Sequence, residues 1–197
     1  MTRASRGLML YARSRSIPAT LLVFLAATCL AWTGYLTDDP ATAHRTGLIA
    51  VVLGVAAVPR TLAGPDEELE RATALPWRLV RTLHLTLLAG LLLSLLAADH
   101  LLTARQTHTV PFDNLAQAVP ALTASTALSA ACFGARTAWM PSVGWGLLML
   151  AVGPRISLGG QALTWMVQEP PTVTSATVAA LLTAVGVVAY ARRGSRL

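Results

Sequence analysis

Lysine is absent from this chain of 197 residues, and all fifteen basic residues are arginine. Any chemistry that needs a lysine amine is therefore excluded from this polypeptide, including phosphate binding by the Walker A loop G-x-x-x-x-G-K-[ST]. Charge is also scarce, since only 12% of the residues are charged, against roughly 25% in an ordinary soluble domain. Because 54% of the residues are hydrophobic, the composition predicts a membrane protein.

Cysteine and histidine are too few and too scattered to indicate a metal site or a disulfide framework. Cys29 and Cys132 lie inside apolar runs, and neither has a histidine or cysteine at a metal-ligand spacing. Ser125 and Ser129 have no histidine nearby in the sequence that could act as a base. We therefore predict no catalytic and no metal-binding residue. Every acidic residue falls in a predicted connection or at the end of a span, which argues against a proton-coupled transporter.

The positive net charge of +6 does not indicate a nucleic-acid partner. The arginines form short clusters beside apolar runs, whereas a nucleic-acid site would place them along one helix face or between aromatic residues. Residues 1–16 carry four of them around a short apolar stretch, which predicts an interfacial helix on an anionic inner leaflet. The alternative is a disordered basic tail that serves only to orient the chain.

Six apolar segments are candidates for spans, since a helix needs about 20 largely apolar residues to cross a bilayer. We expect one all-α domain, a polytopic membrane protein with six transmembrane helices. The second segment is short, so His44 and Arg45 are expected beside it at the interface, and Asp99 and His100 are expected just past the end of the third. The predicted spans are residues 17–36, 46–58, 79–98, 115–135, 142–152 and 173–190.

The fifth segment, 142–152, is too short to cross a bilayer alone. It is followed by Gly153 and Pro154 and then by a semi-apolar stretch in which Gly159 and Gly160 would weaken a continuous helix. We predict a short span followed by a re-entrant or interfacial segment before the sixth span.

The distribution of arginine sets the expected orientation. With six spans and a cytoplasmic N-terminus, twelve arginines fall on the cytoplasmic side and only three, Arg45, Arg105 and Arg155, fall outside. This bias obeys the positive-inside rule. Both termini and residues 59–78 are therefore predicted to be cytoplasmic.

An acidic cluster stands out in the connection between the second and third spans. Pro65 suits the first position of a helix, the acids that follow complement the helix dipole, and Glu67 stands four residues before Arg71. Residues 65–75 are thus predicted to form a short amphipathic helix that ends before Pro76. Acid is unfavourable beside anionic lipid, which favours a basic protein partner. The alternative is a solvated loop whose acids only complement the dipole.

Three stretches resemble one family of transporters. They are GPDEELERATALPWRLVRTL, which begins at Gly64, GARTAWMPSVGWGLLML at residues 134–150, and the ending VVAYARRGSRL. In order and topology they are similar to actinobacterial ATP-binding-cassette (ABC) transporter permeases of the type-2 exporter class.

The resemblance implies a six-helix permease in the bacterial cell membrane that pairs with a second permease, identical or related, and docks two copies of an ABC ATPase subunit. ATP and Mg would then be bound by the partner ATPase, with no cofactor in this chain and no enzyme activity of its own. In that family the acidic helix is the coupling helix, seated on the ATPase. The residues implied for coupling are Asp66, Glu67, Glu68, Leu69, Glu70 and Arg71.

Polarity on the fourth span suggests a substrate path, and Trp32 is a further candidate for stacking on a substrate. Because polar groups are few, an amphiphilic or hydrophobic cargo such as a drug, peptide or lipid is favoured over a sugar or ion. A second hypothesis is a non-transporting membrane anchor or regulator that recruits a soluble partner through the acidic helix. The candidate path residues on the fourth span are Thr123, Ser125, Thr126 and Ser129.

Overall fold

The structure is a computed structural model that describes residues 15–37, 39–62, 76–103 and 112–195. Within these ranges all regular secondary structure is helical, and five helices are long and apolar enough to cross a membrane. The predictions of an all-α chain and of membrane-length helices are confirmed. The five helices are compatible with a multi-pass membrane protein.

Within the described ranges the helices follow one another in chain order. A single turn of 3-10 helix at Trp165–Val167 separates the last two, and α2 and α3 together form one apolar span of 23 residues, Pro40–Leu62. The helices are α1 (Ile17–Tyr35), α2 (Pro40–Ala57), α3 (Pro59–Leu62), α4 (Trp77–Thr103), α5 (Phe112–Phe133), α6 (Trp139–Val152), α7 (Leu158–Leu163) and α8 (Val173–Arg193).

The second span begins six residues earlier than predicted because Asp39 caps it. The Asp39 carboxylate accepts hydrogen bonds from the backbone N–H groups of Ala41 and Thr42 and from the Thr42 hydroxyl. These donors, the Thr42 hydroxyl foremost, hold the pKa of the exposed carboxyl below its usual value. His44 and Arg45 therefore belong to the helix, and His44 is buried. The helix thus begins before the span predicted at residues 46–58, and the placement of His44 and Arg45 at the membrane interface stays a prediction.

The third span is also longer than predicted, and it includes two polar residues that the sequence placed beyond its end. Nothing between Ala98 and Thr103 breaks the helix, and the Thr103 hydroxyl donates to the Asp99 carbonyl at 2.7 Å. Asp99 and His100 thus lie inside α4, and Asp99 is only 7% exposed. The helix therefore continues past the predicted end of the span at residue 98, and Asp99 lies near its C-terminal end.

α5 lies at the centre of the bundle. It packs against α2, α4, α6 and α8. In its apolar, membrane-length stretch 67% of the residues are buried, against 28% in that of α4 and 22% in that of α8. Its small side chains allow neighbouring helices to come close, as is usual for helices packed in a membrane. α4 and α8 leave most of their apolar surface exposed, which is the surface that lipid or a second copy would cover.

The closest approach to α5 is made by α8 at Gly186. A β-carbon at this position would overlap the backbone carbonyl of Ala124, so only glycine fits at this crossing. A β-carbon added at Gly90, in the middle of α4, would meet no other atom within 4 Å.

We predict that Gly186→Ala lowers the free energy of unfolding by about 1–3 kcal/mol, because the added methyl group forces the α5 and α8 backbones apart. Thermal unfolding in detergent measures the effect. Gly90→Ala is the matched control and should cause no loss of stability. Equal stability of the two variants would contradict the close packing of α5 and α8.

Candidate functional site

The predicted coupling residues, Asp66 to Arg71, lie outside the described residues, and so does most of the predicted interfacial helix, residues 1–14. Both remain predictions. The structure does describe the two points where the acidic connection leaves and re-enters the bundle, Leu62 and Pro76. The first of these is held by contacts from three other parts of the chain.

The carbonyl groups at the end of α3 have no partner within their own helix and are bound by other elements instead. The Arg15 guanidinium donates to the Thr61 carbonyl at 3.2 Å, and His84 of α4 also hydrogen-bonds to the Thr61 backbone. The Leu62 carbonyl accepts from the Tyr190 hydroxyl at 3.3 Å and from the Ser195 hydroxyl at 2.9 Å.

These contacts, which we call the α3 clamp, join the start of the acidic connection to Arg15 directly before α1, to α4 and to the C-terminal end of α8. Arg15, His84, Thr61 and Tyr190 are all buried, so the hydrogen bonds are shielded from competing water. A displacement of residues 61–62 would therefore be transmitted directly to three helices.

An apolar cavity of ≈ 140 Å³ lies between α5, α6, α8 and the 3-10 turn. Two of its lining residues, Pro141 and Trp145, are also exposed on the surface of the bundle, so the cavity reaches the side of the molecule. Its few polar groups are serine hydroxyls, and the buried Ser142 hydroxyl has no hydrogen-bond partner among the residues that the structure describes. An apolar wall with a few hydroxyl groups suits an amphiphilic ligand.

The chain doubles back after α6 and closes one side of this cavity. Gly153, with φ of 72°, ends α6, and the Trp145 indole N–H donates to the Leu163 carbonyl at 3.0 Å. α7 therefore lies beside the middle of α6 rather than continuing it. Gln168, directly after this segment, donates from its side-chain amide to the Arg155 carbonyl at 3.2 Å.

The tip of the returning segment is buried within the bundle. Trp165, Met166 and Val167 all lie in the hydrophobic core, and Trp165 lines the cavity. α6 alone is about 21 Å long at 1.5 Å per residue, shorter than the roughly 30 Å of a bilayer core. α6 is therefore too short to cross a bilayer core alone, and the buried residues Trp165–Val167 pack beside it.

The structure places only some of the candidate path residues at the cavity. Ser125 and Ser129 line it, one helical turn apart on α5, while their hydroxyls donate to backbone carbonyls in the preceding turn. Thr123 and Thr126 are buried elsewhere on α5, and Trp32 is half-buried on α1. None of these three lines the cavity.

Among the cavity residues that sequence reasoning missed are Ser142, Trp145 and Met149 of α6. Their spacing of three and four residues places them on one face of a helix. That spacing could have identified them from the sequence. Ser125 and Ser129, four residues apart, lie on one face of α5 in the same way.

A second group of buried polar side chains lies at the opposite end of the bundle from the α3 clamp. Tyr35 lies close to Asp99 and hydrogen-bonds to Thr103, and the His44 imidazole lies 3.7 Å from the Glu169 carboxylate. In the described ranges these side chains do not assemble three His, Cys, Asp or Glu residues around a point where a metal ion could bind. They form the polar end layer of the bundle.

No family model, curated protein or solved structure matches this chain.

We predict that Ser125→Phe weakens the binding of a lipophilic fluorescent dye about tenfold, because the new ring occupies space within the cavity. Quenching of tryptophan fluorescence by the dye reports on binding, since Trp145 and Trp165 line the cavity. Ser94→Phe, the same change on the exposed face of α4, is the control and should bind the dye like the unmodified protein. A similar loss in both variants would show that the dye does not occupy the cavity.

We predict that Tyr190→Phe combined with Ser195→Ala lowers the free energy of unfolding by about 1–3 kcal/mol, because the buried Leu62 carbonyl loses both side-chain donors. Amide hydrogen exchange of residues 59–62 should rise more than exchange elsewhere in the bundle. Thr177→Ala, which removes an exposed hydroxyl bonded within its own helix turn, should change neither quantity. Unchanged exchange at residues 59–62 in the double variant would contradict the α3 clamp.

Proposed function

We propose that the chain is the transmembrane permease subunit of an ABC transporter, an exporter of an amphiphilic or hydrophobic compound. The observation that carries this proposal is the α3 clamp. A permease without an ATPase site of its own needs a cytoplasmic contact whose movement reaches several spans at once. Residues 61–62, immediately before the acidic connection, are bonded to Arg15 at the entrance to α1, to α4 and to the end of α8.

The proposed layout has six spans, both termini in the cytoplasm, and a coupling helix at residues 65–75. Five helices have the length and composition of spans. α6 is the short fifth span of this layout, and the hairpin that follows it, with its buried tip at Trp165–Val167, is the re-entrant segment. The arginine distribution supports the cytoplasmic placement of residues 59–78.

The proposed mechanism is alternating access driven by a separate ATPase. ATP-dependent closure of two ATPase subunits would push the acidic helix, and the α3 clamp would convey that motion to α1, α4 and α8. Because α8 also contributes Leu182 to the cavity wall, its movement would change the shape of the cavity. The cargo would bind through apolar contacts, with the serine hydroxyls as its few polar partners.

The proposed cargo follows from the walls of the cavity. Leucine, methionine and tryptophan side chains dominate the lining, and the cavity reaches the side of the bundle, where a lipid-soluble compound could enter from the bilayer. A sugar or an ion would leave its polar groups unpaired against such a wall. A volume of ≈ 140 Å³ accommodates only part of a drug-sized molecule, so the second permease is expected to complete the path.

We predict that the protein, extracted from its own cell membrane in mild detergent, carries an ATPase subunit in equal amount and that the complex hydrolyses ATP. Simultaneous reversal of Glu67, Glu68 and Glu70 to lysine should abolish copurification of the ATPase, because the docking contact would change sign. Insertion in the membrane should be unaffected. The fluorescence of a tagged chain at the cell membrane measures this insertion.

The matched control reverses Asp113 and Glu169, which lie at the predicted outer face, and should retain the ATPase. Purification of the unmodified chain without any ATPase would contradict the transporter proposal and leave the recruiting anchor or regulator. Retention of the ATPase by the triple variant would contradict the role of the acidic helix alone.

A further inference from the structure

A basic groove of ≈ 590 Å³ lies at the same end of the bundle as the α3 clamp. It runs between the end of the second span and the turn that joins α5 to α6. Arg60 and Arg136 lie on its walls together with Trp139, and the rest of its lining is small and apolar: Ala56, Pro59 and Ala135.

The two arginines reach the groove by separate routes. Arg60 follows Pro59 in α3, and Arg136 follows Gly134, whose φ of 93° ends α5 and turns the chain towards α6. Both side chains are exposed, and within the described part of the chain neither makes a hydrogen bond or an ion pair. Two guanidinium groups are thus available on one concavity.

The groove combines two properties that together select a class of ligand. Each guanidinium offers a planar set of N–H donors that fits a phosphate in a bidentate manner. The apolar floor, in contrast, would gain nothing from a free phosphate ion and is suited to contact with hydrocarbon. A ligand that satisfies both carries a phosphate at one end and apolar chains beside it.

The position of the groove matches the depth of lipid headgroups. It lies where two apolar spans, Pro40–Leu62 and α5, end, and tryptophan at such a level is typical of the membrane interface. We propose that Arg60, Arg136 and Trp139 bind the phosphodiester headgroup of an anionic phospholipid, with Ala56, Pro59 and Ala135 against its glycerol and upper acyl carbons. Basic pockets between the cytoplasmic ends of spans suit this ligand.

The test is native mass spectrometry of the full chain in detergent with equal amounts of phosphatidylglycerol and phosphatidylcholine. The unmodified protein should retain phosphatidylglycerol in preference. Arg60→Gln combined with Arg136→Gln should weaken phosphatidylglycerol binding about thirtyfold, since each arginine near an anionic surface contributes about 1 kcal/mol. Phosphatidylcholine binding should weaken less, because its choline ammonium offsets the charge of its phosphate.

Two further variants separate the groove from general charge effects. Arg78→Gln combined with Arg193→Gln removes two exposed arginines from the same end of the bundle but outside the groove and should keep the preference. Ala135→Leu fills the floor while both groove arginines remain, and it should weaken phosphatidylglycerol binding as well.

Three outcomes would overturn the proposal. They are an unchanged preference in the groove variant, an equal loss in the Arg78 and Arg193 control, and full displacement of the lipid by millimolar inorganic phosphate, which would identify a simple anion site. If neutralising the acids of residues 65–75 tightens lipid binding, those acids compete with the lipid. The occupant of the groove would then be this chain's own acidic segment.

Discussion

The close approach of α8 to α5 at Gly186 is the contact on which the other features of the bundle depend. Because the glycine lies directly against the Ala124 carbonyl, α8 is held along α5, the most buried of the five membrane-length helices. This position brings Leu182 to the wall of the cavity and, two turns further on, Tyr190 to the Leu62 carbonyl. The cavity and the α3 clamp are therefore two consequences of one helix contact. Small residues at this crossing let α8 pack closely against α5 through van der Waals contacts.

The same geometry gives the proposed transport mechanism a physical route. Leu182 and Tyr190 are eight residues apart on α8, about 12 Å along the helix axis, so a displacement at the clamp need travel only a short way to reach the cavity. A packed helix moves as a unit, so motion at one end of α8 would reach the other end. The hairpin after α6 forms the opposite wall. Its buried tip and the bond between Trp145 and Leu163 provide a fixed surface against which α8 could move.

The sequence predicted the helices better than their ends. Long apolar runs identified the spans because hydrophobic length alone distinguishes them, but polar residues were taken as boundaries. His44 and Asp99 illustrate this, since a cap at Asp39 and an unbroken helix to Thr103 carry two helices past the predicted bounds and through polar positions. At the cavity, Ser125 and Ser129 were found from polarity, whereas Ser142 and Trp145 were not. Which face of α5 meets α6 depends on packing between helices, and no property of one helix taken alone contains that information.

The central claim is that the acidic connection faces the cytoplasm, where an ATPase could dock on it. Two-sided thiol labelling tests this most directly, in a chain with Cys29 and Cys132 replaced by alanine and one new cysteine at Thr73 or at Arg155. A membrane-impermeant reagent added to intact cells should label Arg155→Cys and leave Thr73→Cys unlabelled, and inverted vesicles should give the reverse. Labelling of Thr73→Cys from outside the cell would place the acidic segment on the wrong side of the membrane and contradict the account.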